Sequence, residues 1–207
     1  MKRRRRLLLR HDGDFLNRGF SSLAGVDEAG RGPLAGPVVA SAVIVRDFSF
    51  SCRIDDSKSL TPGERGEAHE EILKKSYVGI GVVDAAVIDE INIFRASMLA
   101  MQEAVKRLAA VPACVLVDGP HAPELSLERF AIVDGDALSF SIACASIVAK
   151  TTRDRIMRHY HWLYPSYGFD RHKGYPTPEH FEALKKNGPC RIHRRSFKPV
   201  SRLCPSQ

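Results

Sequence analysis

Residues 23–45 read LAGVDEAGRGPLAGPVVASAVIV. LAGVDEA (23–29) and VVASAVIV (38–45) are apolar stretches rich in Val and Ala, and the Gly/Pro-rich GRGPLAGP between them turns the chain, so a hairpin is predicted. The first stretch ends in two adjacent carboxylates, Asp27 and Glu28. A buried strand end is costly for negative charge unless a cation or a hydrogen-bond network meets it. Side chains of neighbouring strand residues point to opposite faces, so these two acids cannot both aim at one ion from a regular strand. The strand is therefore expected to end there, or one of the pair to ligate through its main-chain carbonyl.

Downstream, DDSKSL leads to a helix start with Thr61 as cap, Pro62 at the first helical position and Glu64 completing a capping box, before a run to about Lys75. VGIGVV (78–83) reads as a strand and 91–110 as a helix by its apolar spacing, with Asn92 as cap. CVLVDG (114–119) and FAIVDG (130–135) are short apolar runs ending in Asp-Gly, as buried strands entering loops do. DALSFSIACASIVAKTTRDRIMRHY follows as one long helix whose small residues permit close packing on a sheet. After a loop, a last helix is capped by Thr177 with Pro178 first and closes near Gly188, and the tail PCRIHRRSFKPV is basic and irregular. The order β-β-α-β-α-β-β-α-α gives an α/β sheet carrying helices, followed by a small helical C-terminal region.

The 207 residues, 44% hydrophobic and 27% charged, suit one domain with a real core. Five widely spaced cysteines (Cys52, Cys114, Cys144, Cys190 and Cys204) with no C-x-x-C argue against a disulfide framework or a zinc clip and for a reducing compartment. The apolar run near the N-terminus, Leu7–Leu9, is too short for a signal peptide or a membrane span, so a cytoplasmic protein is expected. Charge is unevenly spread: residues 1–10 carry six positive charges, residues 11–149 are net −8 and residues 150–207 net +9. Carboxylates gathered in the body and cations near the C-terminus suit a metal-dependent enzyme acting on a polyanion. The run Lys2–Arg6 is expected to be part of a disordered basic extension, residues 1–20.

Three predicted strand ends finish in acid: Asp27-Glu28, Asp118, and Asp134-Gly135-Asp136. Asp-Gly after a strand is a common turn signal, so Asp118 or Asp134 alone reads as a turn residue; it is their convergence that points to a site. Oxygen ligands with no His or Cys nearby in sequence favour Mg²⁺ or Mn²⁺ over zinc. Two such ions about 4 Å apart clamp in-line attack of water on a phosphodiester. GRGPLAG fits neither the Walker loop nor the dinucleotide fingerprint, but Gly30 and Gly32 let backbone approach a ligand closely, and Arg31 is placed to hold a phosphate or to neutralise the acids. No G-x-S-x-G elbow is present. Trp162, Tyr164, Tyr167 and Tyr175 interleave with Arg171, His172 and Lys173, a pattern for stacking on nucleotides, with core packing the expected role of Trp162. His159 and His161 read as surface.

DEAGRGPLAGPVVASAV, DDSKSLTPGER, VLVDG, GDALSFSIACASIVAKTTRD and HKGYPTPEH, in this order, resemble the bacterial ribonuclease HII (type 2 ribonuclease H) family from about Ala24 to HRRSFKP. The resemblance implies an RNase H-like mixed sheet flanked by helices, with the catalytic domain over 21–207 and a helical substrate-binding part from about 158. It implies a monomeric endoribonuclease, using Mn²⁺ or Mg²⁺, that cleaves RNA in RNA/DNA hybrids and nicks 5′ of a ribonucleotide embedded in DNA, leaving 3′-hydroxyl and 5′-phosphate. Asp27, Glu28, Asp118 and Asp136 match the family's metal-holding acids. Gly30, Arg31 and Gly32 match the element that senses the ribose 2′-OH, and Tyr175 the tyrosine that stacks on the sugar. Lys58, Lys150 and Lys173 would be phosphate or carboxylate neighbours. Asp134 departs from the pattern, standing where the family often has a lysine. Two other readings compete: a catalytically silent nucleic-acid-binding module, and an exonuclease of the same broad fold.

Overall fold

The computed structural model, which describes residues 2–203, pairs the two predicted strands, β1 (Leu23–Ala29) and β2 (Val38–Val45), as antiparallel neighbours. They belong to a five-stranded mixed sheet of order β3-β2-β1-β4-β5, with β3 over Ser76–Val83, β4 over Cys114–Asp118 and β5 over Glu128–Ile132. β3 runs antiparallel to β2, whereas β4 is parallel to β1 and β5 to β4. The C-terminal ends of β1, β4 and β5 therefore open on the same edge of the sheet. β5 stops before Val133, so the strand expected over 130–135 ends earlier than its apolar run; Val133 is exposed and Asp134 already has a left-handed backbone, φ 54°.

The helices are α1 (Lys2–Asn17), α2 (Pro62–Lys75), α3 (Ala85–Ile91), α4 (Ile93–Lys106), α5 (Gly135–Leu138), α6 (Phe140–Leu163), α7 (Phe169–His172), α8 (Pro178–Asn187) and α9 (Lys198–Ser201). Thr61 and Glu64 form the expected reciprocal capping box of α2, and the Asn92 side chain accepts the Arg95 amide at the start of α4. The single long helix expected after Gly135 is broken at Ser139, whose extended backbone separates α5 from α6. α6 covers one sheet face, its Phe140 and Ile147 forming a core with Val43, Phe50 and Ile72, and α4 covers the other, packing against Val26, Val38 and Val117. Gly25 on β1 lies directly under α6: a Cβ there would stand 2.1 Å from the Ser141 carbonyl carbon. Gly79 and Gly81 let α4 approach β3 in the same way.

Two expectations are corrected. The basic N-terminus is helical because Leu8 and Phe15 lie on one face and bury against the body, while Arg4 pairs with Asp55 at 2.9 Å. Trp162 is 84% exposed, near the solvent end of α6, rather than in the core. The tail is irregular up to α9, as expected, and is tied to the main chain of residues 34–36: Gly36 donates to Ile192, and Arg194 to Leu34. Cys52, Cys114, Cys144 and Cys190 are free thiols, and Cys204 lies outside the described residues. Among the described residues no helix is long and apolar enough to cross a membrane.

Candidate active site

The ladder between β1 and β4 stops at Val26–Val117, whereas that between β1 and β2 continues through Glu28–Ala40 and Ala29–Val39. β1 thus ends at Ala29, one residue past the acids, in line with the first of the two alternatives above, and it has already lost its partner on one side, leaving Asp27 and Glu28 at an open notch beside the end of β4. Asp118, the last residue of β4, stands across the notch. Asp136, in the first turn of α5, joins it by donating its main-chain amide to Asp118 Oδ1 at 3.2 Å. All four carboxylates line one cleft of about 270 Å³.

Asp27 is 6% exposed. Burial, with Glu28 and Asp118 close by, holds its carboxyl well above the usual carboxylate range, although the Ser146 hydroxyl and the Glu28 amide, at 2.7 Å, hydrogen-bond to it. Glu28 is also pushed up by burial, an effect offset by Arg31, whose Nη1 stands 3.3 Å away. Asp136 rises to about 6 through burial and the neighbouring Asp118 and Asp56, against the pull of Lys58. Burial disfavours the Lys58 ammonium, but Asp56, Asp136, Asp27 and Asp118 more than compensate and raise it. Gathered carboxylates that resist ionisation are what a hard divalent cation would relieve, and an all-oxygen donor set matches Mg²⁺ or Mn²⁺. Among the described residues, no three acid, histidine or cysteine side chains close around a single point. Mutual repulsion accounts for that: Glu28 leans toward Arg31 while Asp27 is held by Ser146.

Gly30, Arg31 and Gly32 line the same cleft, as do Lys58, Lys150 and Tyr175. Lys173 does not reach it; it lines an adjoining cleft with Arg65, Arg158 and Arg171, where Lys150 and Tyr175 are shared. Lys150 is 2.8 Å from Asp154 and stands 5.6 Å over the Tyr175 ring. Asp134 is exposed, and its main-chain carbonyl takes the Ala137 amide, so it acts as a turn and not as a wall of the cleft.

The loop is held from behind by two arginines absent from the sequence-based site. Arg153, fully buried on α6, donates to the carbonyls of Pro37, Ala35 and Lys173 at 3.0–3.1 Å. Arg194, also fully buried, donates to Gly36 at 3.0 Å, Arg31 at 2.8 Å and Gly30 at 2.5 Å. Burial lowers their guanidinium pKa values to about 10 and about 9. Because these partners are main-chain oxygens, no residue pattern announced them. Ser146 was likewise legible only as a small helix residue; it holds Asp27 and meets Ser57 at 3.0 Å.

The family model described as ribonuclease HII matches residues 24–200. A ribonuclease HII of Caldicellulosiruptor bescii is 51% identical over 183 residues, covering 88% of this chain and 89% of that protein. Among solved structures, the ribonuclease H2 of Pyrococcus horikoshii OT3 is similar with TM-score 0.74 at 26% identity, over 88% of this chain and 96% of that one. Bst RNase HIII, solved in complex with Mn²⁺, shares the fold with TM-score 0.69 at 15% identity, over 88% of this chain and 68% of that one. With the match running from β1 through α9, the chain belongs to the ribonuclease HII family and, with it, to the ribonuclease H endonucleases.

Proposed function

We infer that this chain nicks the ribonucleotide-containing strand of duplexes, RNA/DNA hybrids and single ribonucleotides embedded in DNA alike, on the 5′ side of the ribonucleotide, leaving 3′-hydroxyl and 5′-phosphate ends. The observation that carries the reading is the placement of Asp27, Glu28, Asp118 and Asp136 in one cleft whose wall is the main chain of Gly30–Gly32. Two divalent ions held by these carboxylates would supply the charge that activates the attacking water and stabilises the leaving oxygen.

The chain's own residues do the rest. Gly30 and Gly32 bring main-chain polar groups to the sugar without side chains in the way, where a 2′-hydroxyl is the group that distinguishes RNA from DNA. Arg31 holds Glu28 and is half-exposed toward a backbone phosphate. Tyr175, 38% exposed, offers its ring to the next sugar, and Lys58, Lys150 and Lys173 set the phosphates on either side.

The test is a labelled DNA duplex with one internal ribonucleotide, incubated with Mg²⁺, Mn²⁺ or chelator beside an all-DNA control. One metal-dependent nick 5′ of the ribonucleotide, absent from the control, is expected. Binding without a nick under either ion would overturn the reading, and degradation only from free ends, abolished on a circular substrate, would replace it with an exonuclease.

A further inference from the structure

We propose that α1 is a strap that sets the position of Asp136, with Asp12 as its positioning residue. The inference rests on the metal-holding role given above to Asp136, and it concerns a helix that lies before the region matched by the family model.

Two contacts define the strap, and they grip the two segments that flank Asp136. At one end, Asp12, 2% exposed, accepts the Ser139 hydroxyl on Oδ1 at 2.5 Å and the Ser141 amide on Oδ2 at 2.9 Å. Ser139 is the joint between α5 and α6: its amide donates to Gly135 at 2.7 Å, closing α5, and its hydroxyl accepts the Ile142 amide at 3.2 Å, opening α6. α5 is only four residues long and carries Asp136, so the angle at this joint decides where that carboxylate sits. A carboxylate suits the place because it accepts two donors and meets the positive end of the 24-residue α6. An amide there would turn a donor toward one of them.

At the other end, Arg4 Nε donates to Asp55 Oδ1 at 2.9 Å, and the same oxygen takes the Asp56 amide at 3.0 Å. Asp56 and Lys58 are the charged neighbours of Asp136 from this segment. Arg5 adds a bond to the Phe50 carbonyl at 2.9 Å. One helix therefore fixes both the backbone that carries Asp136 and the loop that supplies its electrostatic surroundings, while Leu8 anchors the helix in the core between them. Groups that orient a ligand in this way commonly change metal affinity by about 10- to 100-fold when removed.

The experiment measures the Mn²⁺ concentration giving half of the metal-induced rise in melting temperature, without nucleic acid, for wild type, Asp12→Asn, Arg4→Ala and Met101→Ala. Asp12→Asn is expected to raise that midpoint about tenfold and to recover its nicking rate at saturating Mn²⁺. Arg4→Ala, on the exposed side and so safe for folding, is expected to raise it about threefold, a smaller share of the same effect. Met101→Ala leaves a cavity under α4, on the sheet face away from the strap, and lowers the metal-free melting temperature, yet its midpoint is expected to stay within about twofold of wild type. Wild-type midpoints in both Asp12→Asn and Arg4→Ala, or a Met101→Ala midpoint moved as far as that of Asp12→Asn, would overturn the strap alone. No Mn²⁺-induced rise in the wild type would overturn the metal site and the strap with it.

Discussion

Arg194 Nη1 lies 2.8 Å from the main-chain carbonyl of Arg31, so that a fully buried arginine holds the backbone of one that is half-exposed at the cleft. A trans peptide places its N–H opposite its C=O. With the carbonyls of Gly30 and Arg31 turned to Arg194, the amides of Arg31 and Gly32 are turned away from it and left free for a ligand. Pairing the carbonyls from behind is what presents the donors in front.

Arg194→Met is therefore expected to leave three carbonyls unpaired and to cost about 3 kcal/mol of stability, at the usual 1–3 kcal/mol for each buried group left unsatisfied and with some relief from water. Nicking at a single ribonucleotide is expected to fall about 100-fold through misplacement of the loop, even at temperatures where the variant is folded. Denaturant titration and single-turnover nicking of the same preparation check it; a variant as active as wild type would show that the loop needs no support from behind.

Asp27→Asn separates function from stability. The buried carboxylate, raised by desolvation and by Glu28 and Asp118, works against folding at neutral pH, because a group whose folded pKa is raised loses its contribution as pH climbs past the unfolded value. Removing the charge is expected to raise the metal-free melting temperature by roughly 3 °C, about 1 kcal/mol for a chain of this size, while cleavage falls at least about 1000-fold and duplex binding stays within about threefold. Scanning calorimetry without metal and a binding titration check the two halves separately.

The sequence made the frame of this site legible and hid its supports. Asp27-Glu28 and Asp118 stood out because acids closing Val-rich runs need a cation or a hydrogen-bond network to offset their burial, and the capping box at Thr61 was explicit in residue types. The opening between β1 and β4 was not readable, since the place where a ladder stops depends on a partner strand some ninety residues away. α1 was hidden because Asp12 interrupts the apolar face between Leu8 and Phe15, and its reason for being there, Ser139, is 127 positions off. Arg153 and Arg194 looked like members of a basic, solvated region because main-chain oxygens as partners leave no trace in composition.

Three glycines on and after β1 are expected to respond differently to alanine. At Gly25 a Cβ would meet the Ser141 and Ile142 backbone at 2.1–2.4 Å, so β1 and α6 would have to move apart; Gly25→Ala is expected to destabilise by about 3 kcal/mol or more and to pull Asp27 away from Ser146. At Gly30, φ is +101° and a Cβ would strike Arg153 Nε at 2.1 Å, so strain and collision add. At Gly32 there is open space, so Gly32→Ala is expected to fold within about 0.5 kcal/mol of wild type and to lose nicking only if substrate occupies that space. Melting curves for all three, with nicking rates for Gly32→Ala, check the order.

Acid is expected to act through the histidines behind Tyr175. His193 Nδ1 accepts the Cys190 amide at 3.0 Å, which places its proton on Nε2, 3.1 Å from His180 Nε2. His180 Nδ1 then donates to the Tyr175 carbonyl at 3.0 Å. His172, stacked on His180 at 4.4 Å, takes the Gly174 amide on Nδ1 and donates to the Tyr167 carbonyl. Every ring nitrogen is assigned, and an added proton would face an N–H at each site, with only the Cys190 sulfur, 3.1 Å from His193 Nδ1, as a weak acceptor. Burial, with His180, His193 and His172 close together, lowers both His180 and His193 to about 4. Below the unfolded value of about 6.5 the unfolded chain takes up protons that the folded chain refuses, so this stability is present at neutral pH and drains away as pH falls toward 4. Between pH 7.5 and 5 the two histidines are expected to cost about 4 kcal/mol, at about 1.4 kcal/mol per pH unit each below 6.5. Asp27 and Asp136, with raised values, act in the opposite direction, so the clean measure is the difference between wild type and His193→Gln in urea titrations at both pH values. His193→Gln is expected to be weaker at pH 7.5 but to lose only about half as much on acidification; equal losses would mean that these rings do not sense pH.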